Sequence, residues 1–183
     1  MAACAKRGWP GCTAVSVVTG LGVLASCSAP RRTFEPAQDP STLDDTAFVH
    51  YLASVPMVTV GEGSRAVLLL IGPTTQWPTP QQQTGELQDR GAIRATRRLE
   101  PDATLDKGTL AYMLRTVCHV PRSLNEVLVA PTGLGDRRYA LRTCIDEGLL
   151  PYGLPNDPVT GGELLSALTR AERRMGLRTA SNP

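Results

Sequence analysis

The sequence predicts an all-α fold: a compact helical domain of two degenerate helix-turn-helix units, following an extended tether. Three observations predict it. Apolar residues recur at helical spacing in several separated stretches. Ser/Thr/Asp residues stand where helix caps are needed. One order of helix, glycine turn, loop, cap and helix occurs twice, over about residues 59–117 and 133–175.

The first 26 residues are excluded from that fold. Lys6 and Arg7 form a short positive segment, and Thr13 to Ala25 is a short apolar run. The run falls short of the about 20 residues that span a bilayer, so the pattern reads as an export signal. Its end, Leu24-Ala25-Ser26-Cys27, resembles the lipobox of bacterial lipoproteins. The resemblance implies cleavage before Cys27, diacylglycerol on its thiol and a further acyl chain on the new amine. Several acyl chains hold a protein stably at a membrane, whereas one binds only marginally. The competing reading is an ordinary secretory signal with a cysteine near its end. Ser28 and Ala29 lack the acidic signal for inner-membrane retention in such lipoproteins, which points to the outer membrane, facing the periplasm.

Cleavage also changes the charge. Removing Lys6 and Arg7 leaves 17 basic against 17 acidic side chains, with Lys107 the only lysine. A balanced surface offers no broad field for phosphates, so nucleic acid is not an expected partner.

Residues 27–42 carry three prolines and little core material, and read as the lipidated cysteine and its tether. The domain then runs over 43–183. Asp44–Ser54 is a helix with Ala47, Phe48, Tyr51, Leu52 and Val55 on one face. Thr59 and Glu62 have capping-box spacing and open a second element. Val67–Ile71 is its buried part, with a strand as the alternative, and Gly72-Pro73 ends it. Pro73–Gln83 reads as a loop anchored by Trp77, and Glu86–Arg90 as a short helix. Thr109–Val117, Glu126–Ala130, Arg137–Glu147 and Glu163–Met175 complete the helices.

The repeat aligns Gly61–Gly72 with Gly133–Cys144, and Ala103–Leu114 with Asp157–Leu168. Gly91 and Gly148 are placed to leave the first helix of each unit with positive φ, and Asp106 and Thr160 to cap the second. This arrangement resembles S-layer homology domains, helical modules of bacterial envelopes. The stretches that carry it are Pro158–Leu165 and Thr104–Ala111. Gly161 stands where that family commonly has arginine. What the resemblance implies here is a helical architecture and an envelope scaffold role.

The candidate chemistry is sparse. His50 and His119 are the only histidines, and with Cys118 and Cys144 they lack the spacing of a structural zinc site, so no metal or cofactor is expected. Cys118 and Cys144 are either a disulfide between the units, formed in an oxidising compartment, or two buried thiols. Ser64 lies outside a nucleophile elbow. Gly133-Leu134-Gly135 falls short of a dinucleotide fingerprint. The acidic pairs Glu86/Asp89 and Asp146/Glu147 read as solvated helix ends. The expectation is a non-catalytic structural or protein-interaction lipoprotein, with cell-wall glycan binding as the alternative. Trp77 with Tyr112 or Tyr152 would line a partner groove between the units, or pack in the core.

Overall fold

A computed structural model describes residues 39–94, 96–122, 127 and 135–180, with side chains through residue 176. The export segment, Cys27, the tether up to residue 38 and all of the 126–130 helix candidate except residue 127 lie outside these residues.

The described chain is all-α. It holds α1 (Asp45–Ser54), α2 (Val60–Leu68), α3 (Pro80–Asp89), α4 (Lys107–Val117), α5 (Asp136–Asp146) and α6 (Gly161–Ala180), with 3-10 turns at Pro40–Thr42 and Thr74–Gln76. Among the described residues the only β-type pairings are isolated bridges, Thr59 with Thr104 and Asp106 with Pro158.

Local chemistry explains most helix starts. Asp44 caps α1 through the amide of Ala47, and Asp106 caps α4 through the amide of Thr109. Thr59–Glu62 closes both bonds of a capping box on α2, and Thr160–Glu163 makes the same pair of bonds on α6. The ends are equally local. Gly91 and Gly148 take positive φ after α3 and α5, and His119 takes the same left-handed conformation after α4. In each case the next amide reaches back five residues: Ala92 to Leu87, Val120 to Arg115 and Leu149 to Cys144. These bonds satisfy carbonyls that a helix end otherwise leaves open.

The structure differs from the sequence expectation in several places, and α2 ends at Leu68, before the expected Gly72-Pro73 stop. Helix α3 begins at Pro80, so the loop expected to run to Gln83 is already helical. Its start is set by a Thr79–Gln82 capping box with proline at the first position. The expected tether also ends early. Pro40–Thr42 forms a turn, and the carbonyls of Pro40 and Leu43 accept hydrogen bonds from the Arg65 guanidinium.

The residues just before α2, α4 and α6 meet in a closed ring. The Val58 amide donates to the Val159 carbonyl at 2.9 Å, Val159 to Leu105 at 3.0 Å, and Leu105 to Val58 at 2.8 Å. All three side chains are buried. Each precedes a cap (Thr59, Asp106 or Thr160), so the ring positions three helix starts at once. The major helix contacts come in three pairs: α2 with α3, α4 with α5, and α1 with α6. These pairings do not show the two helix-turn-helix units expected from the repeat, and the ring itself is three-membered. In it α2 belongs with α4 and α6, not with α5. Phe48, Leu52, Leu68, Leu87, Leu110, Met113, Leu114 and Leu164 fill the single core. Full burial of one such side chain contributes about 1.5–3 kcal/mol.

Candidate functional site

Two clefts occupy related places around the ring. Each is bounded by the first turns of an even-numbered helix, the start of the following helix and the loop before the next. Arg65 and Tyr112 hold equivalent positions in them, each six residues after its helix cap.

The first cleft, about 540 Å³, is lined by Trp77, Arg65, Glu62, Asp45, Phe48 and Pro101 among others. The charges of Arg65, Asp45 and Glu62 are consumed internally. The buried Arg65 lies over the Phe48 ring at 4.2 Å and ion-pairs with Asp45 at 3.0 Å. It also donates to Thr74, Pro40 and Leu43. Asp45 in turn accepts from the Thr74 amide and hydroxyl. Burial pushes the Asp45 carboxyl up, but the bonds from Thr74 and Arg65 outweigh it and hold the group below its ordinary value. Glu62 accepts from the Tyr51 hydroxyl at 2.6 Å while completing the α2 cap. This network fastens the start of the domain to α2.

The second cleft, about 660 Å³, is lined by Tyr112, Arg94, Arg97, Arg137, Arg138 and Asp136 among others. Arg94 is paired with the largely buried Asp136. Arg137 bonds Asp106 at 2.6 Å, the Pro155 carbonyl and Asn156 Oδ1, both at 3.0 Å. Arg97 is half-buried, and burial followed by the neighbouring Arg137 charge disfavours its charged form, partly offset by Asp106. The buried Arg115 lies over the Tyr112 ring, 4.8 Å from its centroid.

The sequence-predicted residues do not form one groove. Trp77 lines the first cleft, packs against the core and donates from Nε1 to Glu86 at 3.2 Å. Tyr112 lines the second cleft and also packs against the core. Tyr152 lines neither: it is 86% exposed. It stands on a tight loop in which the Leu154 amide donates to Asp157 Oδ2 and the Asp157 amide to the Leu154 carbonyl. The cleft arginines were missed because Arg94, Arg97 and Arg137 are dispersed in sequence and only the fold gathers them. A signal was present in the excess of arginine over lysine.

Cys118 and Cys144 are both buried and not joined to each other. They sit at the ends of α4 and α5, the most extensively packed helix pair. Cys144 donates to the Ala111 carbonyl at 3.4 Å. Burial, and then the neighbouring Cys118, pushes its thiol up to about 12. Of the two alternatives for this pair, the structure describes two free, buried thiols. His50 and His119 are exposed. Among the described residues no group of three His, Cys, Asp or Glu side chains is placed to hold a metal ion, and no helix is long and apolar enough to cross a membrane.

No protein-family model matches the chain, and neither the curated proteins nor the solved structures contain a significant match.

Proposed function

We propose that this is a lipid-anchored protein of the bacterial envelope whose helical domain is a non-catalytic binding module. The anchor reading rests on Leu24-Ala25-Ser26-Cys27, and the outer-membrane placement on Ser28 and Ala29. The module reading rests on the second cleft. The loop that supplies Pro155 and Asn156 to its wall also presents Tyr152 and Leu154 to solvent, 86% and 63% exposed. A braced loop with exposed aromatic and aliphatic side chains beside a basic cleft is the anatomy of a recognition surface.

The test is retention of the purified full chain on envelope fractions. Binding to the protein fraction that drops with Tyr152→Ala and Leu154→Ala, at unchanged Tm, is the expected result. Equal retention of wild type and variant contradicts it.

Cell-wall glycan is the second reading, favoured by one observation. Val58-Thr59, Leu105-Asp106 and Val159-Thr160 each open a helix and converge in one ring, a repeated cap arrangement in keeping with the S-layer homology resemblance. Retention on protein-free wall material supports this reading over a protein partner.

A further inference from the structure

We propose that the second cleft is an oxyanion site, which takes a carboxylate or phosphate group of a small ligand between Arg97 and the first turn of α5. The inference rests on the binding-module reading and names the chemistry of its site.

Four arginines line the cleft, and the acid among its lining residues, Asp136, is already paired with Arg94. The Arg137 head group is likewise committed to Asp106, Pro155 and Asn156. Arg97 is different. It is half-buried, and among the described residues its guanidinium makes no hydrogen bond or ion pair. Burial of this cation is costly, Asp106 offsets the cost only in part, and an anion placed beside it offsets more.

The backbone supplies a second attraction. Helix α5 starts at Gly135, which has φ 78° and no side chain to cap the first turn. Each of the other described α-helices has a side-chain cap: Asp44, Thr59, Thr79, Asp106 and Thr160. An uncapped helix start carries about half a positive charge and outward amides, which is where oxyanions bind. Gly135 and Asp136 both line the cleft.

Thr109 adds an independent sign. It is only 5% exposed, lines the same cleft, and its Oγ1 has no hydrogen-bond partner. Buried hydroxyls are normally satisfied, and this one belongs to a residue of the cleft wall. The cleft volume falls within the range of about 300–1,000 Å³ usual for small-ligand sites.

The test is titration of the full chain, purified in detergent, with inorganic phosphate and separately with glucuronate, followed by calorimetry. Saturable binding of either is expected, weakened by added salt. Saturation by phosphate alone assigns a phosphate-bearing ligand, and by glucuronate alone an acidic sugar. Arg97→Gln should weaken binding by about tenfold or more. It should not lower Tm, because the side chain makes no bond in the fold and removal of its charge relieves the burial cost. Arg142→Gln, on an exposed residue outside the cleft lining, should leave binding unchanged. Failure of both anions to saturate below about 10 mM overturns the site. Unchanged affinity in Arg97→Gln also overturns it. Envelope retention measured on the same preparations separates the two claims. Retention without anion binding removes the oxyanion site and leaves the module; loss of both removes both.

Discussion

Gly161 lies against the carbonyl of Leu52 so closely that a Cβ on Gly161 would sit 1.7 Å from that oxygen. The contact joins the start of α6 to the end of α1, and the Gly161 amide donates to the Val55 carbonyl at 3.0 Å. It explains why glycine stands at the start of α6: backbone occupies the space a side chain would need.

Gly161→Ala should therefore destabilise the domain although alanine favours helices. Overpacking typically costs about 1–3 kcal/mol, and backbone atoms yield less than side chains, so a loss of about 3 kcal/mol is expected. Gly162→Ala is the control. Nothing lies within 4 Å of its added Cβ, and it should be neutral or stabilise by up to about 1 kcal/mol. Thermal unfolding of the two variants checks both.

The pairing of Arg65 with Asp45 predicts acid sensitivity. The folded Asp45 carboxyl is held below its ordinary value, and so is that of Glu163, where bonds from Lys107 and Thr160 outweigh burial. A depressed folded value means the stabilisation is complete above the unfolded value, about 4, and is lost as pH falls through the folded one. Tm should fall steeply below about pH 4. Asp45→Asn should cost about 1–3 kcal/mol at pH 7 and make that fall shallower. A Tm profile from pH 2 to 7 for both proteins provides the check.

The buried thiols predict silence toward alkylating reagents. Cys144 is fully buried, and a thiol pushed up to about 12 holds almost no thiolate at neutral pH. Intact mass should show no label on Cys118 or Cys144 in the folded protein, and two labels after unfolding. No label even after unfolding without reductant would show that the cysteines are bridged, as the oxidising-compartment argument allows.

The parts of the fold legible in the sequence are those written locally. Thr59–Glu62, Asp106, Thr160, Gly91 and Gly148 all act within a few residues of where they stand, and each has the expected role. The first half of α3 was hidden because Pro80–Gln83 has no apolar period; only the Thr79–Gln82 box marks it. The ring was hidden for the opposite reason. It joins Val58, Leu105 and Val159 across about 100 residues through backbone bonds that any side chain can make. A two-copy repeat therefore looked sufficient, and Trp77 with Tyr112 or Tyr152 read either as one groove or as core. The second cleft depends on the same long-range arrangement, which brings Arg97 beside Arg137 and the start of α5.

The proposed anchorage of the domain at the envelope through a lipidated Cys27 is tested by intact mass of the membrane-extracted protein. The expected result is a chain that begins at Cys27 and carries diacylglycerol, with Cys27→Ala leaving the precursor unprocessed. A soluble, unmodified chain beginning at another residue would contradict it.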